Sequence, residues 1–105
     1  MNKQYKISII TVTKNSENFL EECILSLNQQ SYKNFEHILI DGFSTDNTVN
    51  IIKKHQDKIT YWVSEKDEGL YDAMNKGIKK CSGDIIGILN SDDIYYPETL
   101  KIVNQ

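Results

Sequence analysis

Along this chain the spacing of apolar residues switches repeatedly between two periods. Residues 6–13 form a β-branched run of strand length. Phe19, Leu20, Cys23, Ile24 and Leu27 then recur at intervals of one, three and four, as on one face of a helix. Glu17, Glu21 and Glu22 fall early in it, where a helix dipole favours negative charge. A second strand is predicted over 35–41, and Ser44 is suited to cap a helix carrying Val49, Ile51 and Ile52. A third strand is predicted over 59–63. The stripe Leu70, Ala73, Met74, Gly77, Ile78 and Cys81 predicts a further helix, which Gly83 would end. Residues 84–89 read as a fourth strand, and Pro97 as the opening of a last helix, where a missing N–H costs nothing.

Strands that alternate with helices run parallel, and their nearly continuous apolar character predicts cover on both faces. The expected fold class is α/β: a three-layer α/β/α sandwich with a mainly parallel sheet. Ligands of such open sheets sit beyond the carboxyl ends of the strands. That rule selects Thr13 to Asn15, Asp41 to Ser44, Ser64 to Tyr71, and Asn90 to Asp93.

A length of 105 residues fits one domain, and 39% hydrophobic with 26% charged residues is a globular balance that argues against disorder. The net charge is −3 and all twelve cations are Lys, so no basic surplus marks a nucleic-acid partner. Without Arg there is no bidentate phosphate clamp; phosphate must be met by Lys, backbone N–H groups or a metal. No apolar run reaches membrane-spanning length and no charged-then-apolar leader opens the chain. A cytoplasmic location is expected, with peripheral membrane association through other regions left open. Cys23 and Cys81 lie on apolar stripes and read as small core residues. His37 and His55 have no ligand-spaced partners and read as structural.

The strongest local chemistry is Asn90-Ser91-Asp92-Asp93. Like charges about 4 Å apart repel by about 4 kcal/mol at an effective dielectric of about 20, which makes the pair a poor host for a bare diphosphate. A divalent cation reverses the sign, taking carboxylate oxygens on one side and phosphate oxygens on the other. A solvated turn is the competing reading, and spacing does not decide between them. Asp41 can accept hydrogen bonds from a base edge or ribose hydroxyls, or simply from its own turn. Asp72 and Asn75 share a helix face, while Asp72 and Lys76 are spaced for an ordinary i,i+4 ion pair. Tyr61, Trp62, Tyr71, Tyr95 and Tyr96 read mainly as core or rim, with stacking on a base or sugar left open.

Taken in order, these stretches resemble family-2 glycosyltransferases of the type A fold, over essentially the whole chain. Residues 8–15 look like the opening strand and donor loop. Residues 40–48, Ile-Asp-Gly-Phe-Ser-Thr-Asp-Asn-Thr, resemble the family's Asp-(Asp/Gly)-Gly-Ser-Thr-Asp-x-Thr turn. Residues 64–77 are similar to Ser-Glu-x-Asp-x-Gly-(Ile/Leu)-Tyr-Asp-Ala-Met-Asn-x-Gly of a polysaccharide-building subgroup, and Leu89-Asn-Ser-Asp-Asp93 resembles the DXD-type metal signature. The resemblance implies a Rossmann-like, nucleotide-diphospho-sugar-binding portion over 1–105. The donor, a UDP-sugar by resemblance, would be bordered by Thr13, Asn15, Asp41, Gly42, Asp67, Asp72, Asn75 and Asp92. Mn²⁺ or Mg²⁺ would be held by Asp93 with Asp92. The acceptor would be a saccharide or lipid-linked saccharide, with inversion at the anomeric carbon. The catalytic base is expected beyond Gln105, so residues 1–105 alone are expected to bind donor with little transfer.

Three departures bear on the donor. Gly42 stands where many members carry a second Asp on the uracil edge, Lys14 where an aromatic often stacks, and Asn90 where Asp is common. A nucleotidyltransferase or dinucleotide-binding domain would need a glycine-rich loop after the first strand, which 13–17 lacks. A phosphate-receiver domain would need its acidic pair there too. A non-catalytic nucleotide-binding or interaction module that keeps the fold stays open, since fold alone does not set function. Exposed sheet edges leave room for a homodimer.

Overall fold

The computed structural model describes residues 4–97 and 99–103. Four strands, β1 (Ile7–Thr13), β2 (Phe35–Asp41), β3 (Tyr61–Ser64) and β4 (Ile85–Ile88), alternate with helices α1 (Leu20–Asn28), α2 (Thr48–Lys54), α3 (Leu70–Lys80) and α4 (Thr99–Val103). All pairings are parallel and the sheet order is β3-β2-β1-β4. The chain is the α/β sandwich its periodicity predicts.

Register decides which side chains meet which helix. Ile7 pairs with Phe35 and Thr13 with Asp41, so Ile7, Ile9 and Leu39 share one face. There they pack with Leu20, Cys23, Ile24 and Leu27 of α1 and Ile52 of α2. Each fully buried Leu or Ile contributes about 1.5–3 kcal/mol relative to exposure, and these are at most 1% exposed. The alternate positions Ile10, Ile38 and Ile40 face α3 through Ala73. Gly77 lets that helix approach: a Cβ there would stand 2.7 Å from Ile10 Cγ2.

Two buried polar groups anchor the sheet away from the strand carboxyl ends. Glu36 accepts the Ser8 hydroxyl (2.6 Å), the Ser82 N–H (2.7 Å) and the Ser82 hydroxyl (2.9 Å), and pairs with Lys6 (3.2 Å). Burial alone would raise its pKa, but these donors outweigh it and bring the carboxyl to about 2. The connection from α3 to β4 is thereby tied to β1 and β2. His37 sets Nε2 against Thr11 Oγ1 at 2.8 Å, and burial lowers its pKa to about 4. It is a neutral imidazole at neutral pH.

Several local expectations change. β4 is not covered on both faces: Ile86 and Ile88 are 47% and 44% exposed, because α3 lies over β1 and β2 and stops short of the edge strand. Phe19, Leu70 and Ile78 of the helical stripes are likewise exposed. Ser44 does not cap α2, which starts at Thr48; Asp46 accepts the Thr48 N–H instead (2.9 Å). Gly83 adopts no left-handed conformation. A side chain there would strike Ser8 Oγ and the Lys6 carbonyl at 2.6 and 2.7 Å, so close approach, not a helix stop, requires glycine. β3 begins at Tyr61, after a 3-10 turn at Gln56–Lys58, and α4 begins two residues beyond Pro97. Cys23 and Cys81 are free thiols, as expected of core residues, with Cys23 fully buried and Cys81 half-buried.

Candidate functional site

The chain builds outward from β1 to β2 and β3, then returns to place β4 on the other side of β1. That reversal sets the carboxyl ends of β1 and β4 side by side, the place where ligands of such sheets bind. The loops that follow them are joined by a hydrogen bond: Ser16 Oγ and Ser91 Oγ are 2.9 Å apart.

The loops after β1 and β2 are locked together. Asn15 adopts φ 50°, a left-handed conformation that Asn tolerates better than most residues. This lets its Oδ1 accept the N–H groups of Thr45 (2.8 Å) and Asp46 (3.3 Å), while its own N–H donates to Ser44 Oγ (2.8 Å). The Ser16 N–H reaches Thr48 Oγ1 (2.8 Å), and Glu17 accepts the Asn47 N–H (3.1 Å). The Lys14 ammonium donates to the Gly42 carbonyl at 2.7 Å.

Asp41 is fully buried. Its carboxylate accepts the Ser44 N–H (2.9 Å), the Ser44 hydroxyl (2.6 Å) and the Ser64 hydroxyl (2.7 Å). The turn-forming role weighed for this residue is the one the geometry displays. Thr13 is also buried, and its hydroxyl has no partner. Both residues shape the floor of the site, and neither presents its side chain at the surface.

The loop after β3 supplies the next carboxylates. Asp67 accepts the Gly69 N–H (3.1 Å), and its Oδ2 lies 2.8 Å from where a Cβ on Gly42 would stand. Gly42 and Asp67 are therefore neighbours. Gly69 has φ 111°, a conformation that excludes most side chains. Asp72 accepts the Glu68 N–H (2.9 Å) and pairs with Lys76 (3.5 Å). That backbone hydrogen bond first, and Lys76 after it, hold the Asp72 carboxyl below its ordinary pKa despite opposing burial. Asn75 is exposed on the same helix.

After β4, the loop Asn90–Asp93 closes a turn through the Asp93 N–H and the Asn90 carbonyl (3.0 Å). It is moored from below. Cys23 Sγ meets the Asn90 carbonyl at 3.7 Å and Tyr95 Oη donates to the Ile88 carbonyl at 2.9 Å. Asp92 and Asp93 are exposed, and neither forms an ion pair among the described residues. Burial pushes the Cys23 thiol up to about 12, with smaller contributions from the charges of Asp93 and Asp92. Asp93 accepts only the Asn90 side-chain amide at 3.4 Å among the described residues, and two carboxylates without a cationic partner suit a hard divalent cation. Among the described residues no cluster of three or more His, Cys, Asp or Glu surrounds them, so such a cation would complete its shell with phosphate and water.

Of the four serines in these contacts, Ser44, Ser64 and Ser91 lie in the stretches selected at the strand ends without a site role of their own, and Ser16 lies outside them. Strand register is the signal for one of them, since Ser64 pairs directly with Asp41. The others depend on how loops from different strands meet.

A family model described as "Glycosyl transferase family 2" matches residues 8–103. An uncharacterized glycosyltransferase of Mycobacterium tuberculosis (strain H37Rv) is 41% identical over 88 residues, covering 83% of this chain and 34% of its own length. One of Rickettsia typhi is 38% identical over 95 residues, covering 90% and 30%. Among solved structures, S. aureus TarS 1-349 in complex with UDP-GlcNAc superposes with a TM-score of 0.86 at 31% identity, over 93% of this chain and 30% of that one. The mannosyltransferase PcManGT from Pyrobaculum calidifontis, in complex with GDP-Man and Mn²⁺, gives a TM-score of 0.86 at 23% identity, over 93% and 31%; it shares the fold. The chain thus spans about a third of the length of these relatives.

Proposed function

Because this chain belongs to glycosyl transferase family 2, we propose that residues 1–105 form the donor-binding portion of an enzyme that moves a sugar from a nucleoside-diphosphate donor. The observation that carries this reading is the Asn90–Asp93 loop. It offers two exposed carboxylates without cationic partners, moored at the reversal point of the sheet and bridged to the β1 loop by Ser16 and Ser91. UDP is the proposed nucleotide, supported by the TarS neighbour in complex with UDP-GlcNAc. A saccharide or lipid-linked saccharide in polysaccharide assembly is the proposed acceptor.

Asp93 and Asp92 would hold Mn²⁺ or Mg²⁺, which when bound neutralises the diphosphate and its departing charge. Asn15 and Lys14 keep the β1 and β2 loops in register, and Asp41 holds the β2 turn through Ser44 and Ser64. Asp67 borders the nucleoside beside Gly42, with Asp72 and Asn75 at the start of α3. Neither Asp92 nor Asp93 is free to deprotonate an acceptor once committed to the cation. We assign that base to sequence beyond Gln105.

The test is calorimetric titration of UDP into the chain, with and without Mn²⁺, for wild type and Asp93→Asn. Metal-dependent binding that the substitution abolishes supports the reading. A folded wild-type chain that binds no UDP, with or without Mn²⁺, refutes it. That second result would favour an interaction module, to which the bare Ile86 and Ile88 face of β4 is suited.

A further inference from the structure

Phe43 is the one described residue outside Asn15 and Gly69 with a left-handed backbone, at φ 63°. For a bulky side chain this is a strained conformation, and such outliers concentrate at ligand sites. Asn15 has a reason for its angle, because its side chain collects the Thr45 and Asp46 N–H groups. Phe43 has no comparable return. The residue is 61% exposed and joins neither core cluster.

The backbone around it is fixed from both sides. Asp41 takes the Ser44 N–H and hydroxyl, which turns the chain back directly after Phe43. The Lys14 ammonium holds the Gly42 carbonyl at 2.7 Å and meets the Phe43 carbonyl at 3.5 Å. Glycine would satisfy this turn without strain, so retention of an exposed phenyl ring calls for a use outside the folded chain. Next to it, Gly42 leaves its α-carbon bare, with the Lys14 stem and the Asp67 carboxylate at its side. A nucleobase offers a π-face to an exposed apolar ring and edge N–H groups to a carboxylate, and this turn presents Phe43 directly after the Gly42 α-carbon that Asp67 borders.

We propose that Phe43 is a base-stacking residue of the donor site, positioned by the Asp41–Lys14 clamp on its turn. This rests on the donor-binding reading above. Lys14, which carries no ring, serves instead to hold the turn that presents one.

The test compares wild type, Phe43→Gly and Phe43→Trp by thermal melting and by calorimetry with UDP or inorganic pyrophosphate, each with Mn²⁺. Stacking on one base predicts that Phe43→Gly weakens UDP binding by about 5- to 150-fold. Pyrophosphate binding should be unchanged, the melting temperature no lower than wild type, and Phe43→Trp should retain UDP affinity. A structural role would move stability and both affinities together, and that result overturns the proposal. So does wild-type UDP affinity in Phe43→Gly. Failure of the wild-type chain to bind UDP at all removes the donor-site reading and this inference with it.

Discussion

Lowering the pH from 7.5 to 5 should weaken folding through His37 specifically. The imidazole is buried, its Nε2 is committed to Thr11, and its Nδ1 is buried without a partner, so adding a proton introduces an uncompensated charge. The folded pKa of about 4 lies below the ordinary 6.5, so between those values the unfolded chain binds one proton more than the folded chain. Stability is then fully present above about pH 6.5, and is lost as pH falls towards 4, at up to about 1.4 kcal/mol per pH unit. Integrated from pH 7.5 to 5, the loss is about 2 kcal/mol, a large share of the stability of a small domain. Glu36 scarcely contributes in this window, because its ordinary pKa of 4.5 and its folded value of about 2 both lie lower. The assay is urea unfolding at pH 7.5 and 5 for wild type and His37→Gln, which can still bond Thr11 but does not titrate. Wild type should lose about 2 kcal/mol more than the variant. Equal losses in the two proteins would refute the argument.

Three further outcomes follow from close contacts. Gly77→Ala should lower stability by about 1–2 kcal/mol in urea unfolding, because crowding against Ile10 outweighs the gain in helix propensity. Gly42→Asp should destabilise by about 1–2 kcal/mol at pH 7 by setting a second carboxylate against Asp67; an unfolding cycle with Asp67→Asn should recover most of that loss. Cys23, buried and with its thiol pushed up to about 12, should resist iodoacetamide at pH 8 in the folded chain and react on unfolding, as read by peptide mass.

Periodicity made the layers legible because it reports local chemistry that tertiary packing then used. The β-branched runs of β1 and β2 and the α1 stripe of Leu20, Cys23, Ile24 and Leu27 became core. The same pattern misled where no covering element is present among the described residues, as at Ile86 and Ile88, since a continuous apolar run cannot tell an edge strand from a central one. Ser44 and Gly83 carried the right residue type for a cap and a stop, yet their places were set by Asp41 and by Ser8 across the sheet. The carboxylates at the strand ends were legible as a group, but their division of labour was not. Asp41 is buried by partners from its own turn and from the end of β3 while Asp92 and Asp93 are left exposed, and that difference arises only when strands and loops assemble.

On the proposed reading a divalent cation binds at Asn90–Asp93, against the Ser16 loop, together with a nucleoside diphosphate. Paramagnetic broadening of backbone amide resonances by substoichiometric Mn²⁺, with and without UDP, tests this directly on the 12.2 kDa chain. The expected result is UDP-enhanced broadening centred on residues 14–17 and 90–93, absent in Asp93→Asn, with Glu36 and Ser82 at the opposite end of the sheet unaffected. Broadening centred elsewhere, or equally strong in Asp93→Asn, would contradict it.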